Sequence, residues 1–127
     1  MIHSILLFLV FSSTSIMAFV VTDLCVNCKF TDCVEVCPVD CFYEGPNMVV
    51  IHPDQCIDCG LCEPACPIGA ILSEDELSAQ QGYLLDLNQK YAEKWPGITK
   101  PKPSPFDTEY WKTQSDKINL IEDYTKK

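Results

Sequence analysis

Two short apolar stretches, Phe19-Val20-Val21 and Met48-Val49-Val50-Ile51, stand at matching places ahead of two cysteine runs. Each predicts one strand of a small antiparallel sheet, being of strand length and rich in β-branched and aromatic residues. Glu44-Gly45-Pro46-Asn47 predicts a turn between the two halves. The segments after each Cys-Pro step, residues 39–43 and 68–72, predict a short helical turn followed by a returning strand. From residue 73 the period changes. Ser73-Glu74-Asp75-Glu76 predicts a capping box, and Leu77, Leu84, Leu87, Tyr91 and Trp95 then recur at helical spacing, so one apolar face should pack on the first half. Gly82 interrupts that pattern, and Pro96-Gly97 ends it. Residues 100–105, with three prolines in six positions, predict a surface run, and Tyr110, Trp111, Ile118, Leu120 and Ile121 predict a short second helix or docked tail. At this spacing the aromatic stripe reads as packing rather than a binding box.

The cysteine runs repeat. Cys25-x2-Cys28-x4-Cys33-x3-Cys37-Pro38 is followed by Cys41 and then by Cys56-x2-Cys59-x2-Cys62-x3-Cys66-Pro67. The second run matches the iron–sulfur pattern C-x2-C-x2-C-x3-C-P letter for letter. A polynuclear cluster needs several thiolates pointing inward from a short radius; a tight loop supplies three, and a fourth must arrive from elsewhere. In proteins with two such clusters the fourth cysteine of each run ligates the other cluster, so the two runs interlock. Zinc competes, because C-x2-C pairs also make zinc sites, but zinc patterns do not account for a repeated four-cysteine run closed by proline. An odd count of nine cysteines argues against a disulfide scaffold.

The repeat is imperfect, and the imperfection is informative. Cys25 and Cys56 are 31 positions apart, as are Cys28 and Cys59, whereas Cys33 and Cys62, and Cys37 and Cys66, are 29 apart. The first run therefore carries two extra residues between Cys28 and Cys33, where Cys28 cannot join Cys33 on one cube without remodelling the loop. Cys25, Cys33 and Cys66 remain for one centre, which suits [3Fe-4S]. Cys37, Cys56, Cys59 and Cys62 remain for the other, which suits [4Fe-4S]. Cys28 and Cys41 are surplus. The repeat also predicts a pseudo-two-fold α+β fold. Val34, Val36, Val39, Ile57, Leu61, Ile68 and Ile71 are expected to wall the clusters from water and so help set reduction potential.

The residues 19–23, 32–47 and 51–54, including Asp32-Cys33-Val34-Glu35-Val36-Cys37-Pro38-Val39-Asp40-Cys41-Phe42-Tyr43-Glu44-Gly45-Pro46-Asn47, resemble the seven-iron bacterial ferredoxins. The resemblance covers nearly everything from Ala18 to about Ile98. It implies a two-cluster ferredoxin core with a C-terminal helical extension packed on it, and a low-potential carrier of single electrons. It implies the same ligand sets, with Cys28 and Cys41 as free thiols. It further implies Asp32 as a proton donor coupled to reduction of the three-iron cluster, although Pro101 stands where a close relative has the lysine that pairs with that aspartate. Lys100 or Lys102 would then substitute. Cys41, beside Cys37, could exchange as a ligand; the plainer expectation is an inert buried thiol.

Charge adds a partner class. The net charge is −9, and residues 18–72 hold eight acids against one base, Lys29. Such a field disfavours nucleic acid. It favours transient, salt-sensitive docking on basic patches of a ferredoxin reductase and of acceptor enzymes, with the chain itself a monomer. With only His3 and His52 as histidines and no Gly-rich phosphate loop, the chain is not expected to be an enzyme. A redox, oxygen or iron sensor using a labile three-iron site, or a ferredoxin-type subunit of a larger oxidoreductase, are the alternatives. At 127 residues, the expected organisation is an apolar leader at 1–17, a two-cluster core at 18–72 and an extension at 73–127. Ile2 to Phe11 is nearly all apolar but is shorter than a bilayer is thick and lacks the basic flank of a signal peptide. The expectation is a native start at Met17, with a cleaved or membrane-tethered leader as the alternative, no stable membrane insertion and a cytoplasmic location, and cluster ligation supplying much of the folding free energy.

Overall fold

The computed structural model describes residues 18–124, so the leader expected at 1–17 lies outside the described residues. It is a small α+β protein. Strand β1 (Phe19–Val21) pairs antiparallel with β4 (Ile71–Ser73), and β2 (Phe42–Glu44) pairs antiparallel with β3 (Val49–Ile51). Each sheet has two three-residue strands, far below what stands alone in water. Both are therefore held from outside, and every residue of β1 and β3 is buried.

Two short helices, α1 (Asp32–Val36) and α2 (Cys62–Ala65), pack on each other and end at Cys37 and Cys66. The helical turns thus lie before the Cys-Pro steps, not after them as residues 39–43 and 68–72 suggested. The reason is steric: a proline drives its predecessor out of the helical region, and Cys37 and Cys66 have ψ of 117° and 120°.

The capping box at Ser73 is present but opens only a 3-10 turn, Glu74–Glu76. A second box at Ser78, closed by Gln81, precedes the true helix α3 (Tyr83–Ala92). Leu77 therefore stays outside the helix, half-buried, because the two caps spend the intervening residues on tight turns. Leu84 and Ala92 face the core, and Trp95 follows one turn past the helix end, its amide bonded to the Tyr91 carbonyl at 2.8 Å.

The residue that joins the sheets is Asn88, in the middle of α3 and fully buried. Its Oδ1 accepts from the amides of Val21 (3.1 Å) and Ile51 (3.0 Å), and its Nδ2 donates to the carbonyls of Val21 and Leu84, both at 2.9 Å. β1 and β3 lie side by side as the inner edges of their sheets. One side-chain amide completes the backbone hydrogen bonding of both, as buried polar groups require.

The rest of the extension docks on the turn at 44–47. The indole of Trp95 covers Gly45 so closely that any Cβ there would overlap the ring, which is why the turn carries glycine. Glu44 receives Lys29 at 2.8 Å and Lys102 at 2.9 Å. Burial alone would raise its pKa, but the two ammonium groups overcome this and hold the carboxyl below its ordinary range. Asn47, fully buried, donates to the Leu120 carbonyl at 2.8 Å and accepts from the Glu122 amide at 3.0 Å. Around Trp95 the tail also closes, with Asp123 receiving Lys94 at 2.7 Å and the indole N–H at 3.0 Å. The docked tail contains α4 (Thr108–Trp111) and a 3-10 turn, Ile118–Leu120.

Two outcomes are expected. Asn88→Leu strands the Val21 amide and carbonyl and the Ile51 amide; at about 1–3 kcal/mol for each buried group left unpaired, the thermal midpoint should fall steeply. A midpoint within a degree or so of wild type would show that the bridge contributes nothing. For the turn, Glu44→Gln should lower the midpoint more than Lys102→Met does. The Lys29 side chain it abandons is only 10% exposed, whereas that of Lys102 is 58% exposed. The reverse order would mean that the pairing is ordinary surface charge.

Candidate functional site

The cysteines sit on loops whose backbones repeat. Cys25 follows β1 in a 3-10 turn capped by the Thr22 hydroxyl, and Cys56 follows β3, its amide bonded to the His52 carbonyl at 3.1 Å. Asn27 and Lys29 flank Cys28 with φ of 63° and 46°; Asp58 and Gly60 flank Cys59 with φ of 60° and 77°. Asp40 (φ 52°) and Gly69 (φ 67°) occupy equivalent places after the two Cys-Pro steps. The left-handed conformation is costly for residues other than glycine, less so for Asn and Asp, so its recurrence at three paired positions marks a demanding loop geometry. It turns cysteine side chains inward and frees amides to face sulfur. The Cys41 amide lies 3.4 Å from Cys37 Sγ, the Ala70 amide 3.4 Å from Cys66 Sγ, and the Asp58 amide 3.4 Å from Cys56 Sγ. His52 accepts the Asp54 amide through Nδ1 at 3.2 Å, a structural contact in the turn before Cys56.

Two cavities receive these thiols. The first, of about 230 Å³, is lined by Cys25, Cys33 and Cys66 among Val21, Phe30, Val49, Ile68, Ala70 and Ile71. The second, of about 290 Å³, is lined by Cys37, Cys56, Cys59 and Cys62, together with Cys41. The two sets assigned from spacing thus fall in separate cavities, each drawing one cysteine from the opposite run. Cys28 lines neither. Cys41 does line the larger, its sulfur 3.3 Å from that of Cys37, so five thiols meet where spacing suggested four.

The electrostatics of the thiols depend on what shares the cavity. Burial pushes Cys25 and Cys62 up to about 12 and raises Cys33 as well. Its neighbour Cys41 brings Cys56 down to about 6, while Cys56 pushes Cys41 up, burial adding to the rise. Cys25, Cys33, Cys41 and Cys62 thus stay neutral at pH 7 unless a cation shares the cavity, and metal ligation is what deprotonates such a thiol outright. The donor set fits an iron–sulfur cluster. Every polar side chain lining the two cavities is a thiol, the soft ligand such clusters use, and neither carboxylate nor imidazole joins them. Among the described residues no group of three or more His, Cys, Asp or Glu converges as a single metal ion requires; the sulfurs ring a volume instead.

The expected apolar wall is only partly present. Val34 and Ile71 are buried and Ile68 half-buried, but Val36, Val39, Ile57 and Leu61 are 37%, 40%, 57% and 52% exposed. Val39 and Ile57 line the larger cavity even so, each with part of its surface open to solvent, whereas Val36 and Leu61 line neither cavity. Asp32, the first residue of α1, is exposed and makes no ion pair among the described residues. Lys102, one of the two lysines expected to approach it, goes to Glu44 instead, because Thr31 clamps the Lys102 backbone at 2.7 and 2.8 Å and directs the side chain there. Spacing also did not indicate Lys117, a buried lysine whose ammonium lies 3.6 Å from Cys28 Sγ. A lysine amid Ser115, Asp116 and Asn119 carries no local signal that it is buried.

The chain is similar in sequence to known proteins. A family described as 4Fe-4S binding domain matches residues 49–72, a second family of the same description matches residues 22–40, and a domain of unknown function matches residues 85–123. Ferredoxin-1 of Caulobacter vibrioides is 54% identical over 102 residues, covering 80% of this chain and 89% of its own length. The ferredoxin of Rickettsia felis is 51% identical over 104 residues, covering 81% of this chain and 94% of its own. Among the described residues no helix is long and apolar enough to cross a membrane.

Proposed function

Because the chain belongs to the bacterial ferredoxins, iron–sulfur electron carriers rather than enzymes, we propose that it moves single electrons through one [3Fe-4S] and one [4Fe-4S] cluster. The three-iron cluster is held by Cys25, Cys33 and Cys66. The four-iron cluster is held by Cys37, Cys56, Cys59 and Cys62. The observation that carries this is the exchange of cysteines between the runs: Cys66 shares a cavity with Cys25 and Cys33, and Cys37 shares one with Cys56, Cys59 and Cys62. Cys28 lines neither cavity, which favours three ligands rather than four on the smaller side.

A pseudo-two-fold relation between the halves accounts for the paired left-handed residues and the matching amide–sulfur contacts. When bound, the clusters accept and release electrons with the charge spread over several atoms, and their reactivity is their own. The chain supplies burial, the amides directed at sulfur and the exit route. Amide donors stabilise the more negative, reduced state and so raise the potential, while a buried apolar setting lowers it.

The exposed thiol of Cys59, with Ile57 and Leu61 beside it and Asp54 and Asp58 close in sequence, marks the face from which electrons leave. An apolar centre with an acidic surround suits brief docking on a basic patch of a ferredoxin reductase or an acceptor enzyme. Nucleic acid is disfavoured by the same charge. The chain works as a monomer in the cytoplasm, without membrane insertion. Asp32, exposed and directly before Cys33, is the proton donor coupled to reduction of the three-iron cluster, acting without a lysine partner.

Anaerobically purified protein should contain about seven irons per chain, with a three-iron EPR signal when oxidised and a cubane signal when reduced. Cys66→Ala should abolish the first signal and Cys37→Ala should weaken the second, whereas Cys28→Ala should leave both; zinc, or no inorganic sulfide, ends the proposal. For the proton, Asp32→Asn should flatten the pH dependence of the three-iron potential in film voltammetry. An unchanged slope removes Asp32 from that role.

A further inference from the structure

The ammonium of Lys117 is fully enclosed, the residue being 1% exposed. It donates to the carbonyls of Leu24 at 2.9 Å and Trp111 at 3.1 Å, and approaches Cys28 Sγ at 3.6 Å. An ammonium has three donors, and these three acceptors use them all. Among the described residues it forms no ion pair, so a buried charge is held by two neutral carbonyls and one sulfur. That is a costly arrangement. The backbone is fixed as well, since the Lys117 amide donates to Asp23 Oδ2 at 2.9 Å, in the 3-10 turn that ends on Cys25.

Cys28 and Cys59 are repeat counterparts flanked by the same left-handed residues, yet their thiols end differently. Cys59 is exposed and lines the larger cavity; Cys28 is fully buried and lines neither of the two cavities. The two-residue insertion after Cys28 loosens the geometric demand on its sulfur but does not say where that sulfur goes. Lys117, arriving from 89 residues further along, does.

Resting on the cluster assignment above, we infer that Lys117 is a positioning residue that holds the Cys28 sulfur away from the smaller cavity and so keeps that centre at three irons. The C-terminal tail thereby acts on cluster type as well as on stability. Without the ammonium, the Cys28 side chain is released to turn toward Cys25, Cys33 and Cys66 and supply a fourth thiolate. As its Sγ bonds an incoming Fe(II), the thiol proton passes to solvent; a reduced three-iron core plus Fe(II) yields a 2+ cubane with no further electron required.

The test uses the cluster-loaded protein, reduced anaerobically with dithionite, supplied with ferrous iron, desalted and reoxidised. Wild type should keep its three-iron EPR signal. Lys117→Met should lose most of that signal and gain about one iron per chain, and Lys117→Met with Cys28→Ser should recover the signal. A purely structural role for the lysine would not be reversed by removing a thiol. A three-iron signal that Lys117→Met leaves unchanged overturns the inference alone. Wild-type protein that takes up iron in a Cys28-dependent way also overturns it, and that arm holds even where the Met variant fails to fold. A wild type with no three-iron signal at the outset overturns the cluster assignment and the inference together.

Discussion

One side-chain amide in the middle of α3 decides where two otherwise unsupported sheets stand. Asn88 accepts from one inner strand and from the other and donates back to the first, so β1 and β3 are held at a fixed separation without bonding each other. The placement matters because the cysteine loops hang from these strands. Cys25 follows β1, Cys56 follows β3, and Cys41 stands immediately before β2. A shift of the two sheets would carry the thiols of one run away from those of the other.

Each cavity, in turn, needs both runs. The smaller receives Cys66 from the second and the larger receives Cys37 from the first, at equivalent C-caps just before proline. The extension therefore does more than add apolar surface. Its helix fixes the strands through Asn88, Trp95 closes over Gly45, Asp123 bonds the Trp95 indole, and Lys102 and the Glu122 amide tie the tail to Glu44 and Asn47 in the turn that joins β2 to β3. The four residues at 44–47, which spacing alone marks as a connector, receive Trp95, Lys102 and the Glu122 amide, while Thr31 and the turn at Asp23–Cys25 take other parts of the tail.

What the linear order of residues reveals is what depends on neighbours. The strands at 19–21 and 49–51, the turn and the grouping of cysteines around two cavities were legible because β-branched runs, Gly-Pro steps and fixed cysteine spacings act over a few residues. Asn88 was not legible, since a polar residue on an apolar helical face reads as a break in the stripe until two strand edges need its amide. Leu77 was misleading for a local reason: two capping boxes five residues apart cannot both open one helix. Val36, Val39, Ile57 and Leu61 look like core by hydropathy, but hydropathy does not say which side of a loop has a layer above it. Lys117 and Lys102 are set by contacts 89 and 58 residues distant, and no period carries that information.

The pairing of β1 with β4 has a consequence for how the protein comes into being. Val20 lies opposite Leu72, so the first strand leaves the ribosome more than fifty residues ahead of its partner. All nine cysteines are made in between. The nascent chain thus presents every sulfur before the frame that orders them exists, and neither half can be finished while the other is still being translated. A product truncated before Cys66 leaves Cys25 and Cys33 without their third companion, and one truncated before Asn88 leaves both sheets unjoined. Maturation is therefore a single late event for the whole polypeptide, and the interval before it is when the bare thiols are most open to oxidation or to the wrong metal.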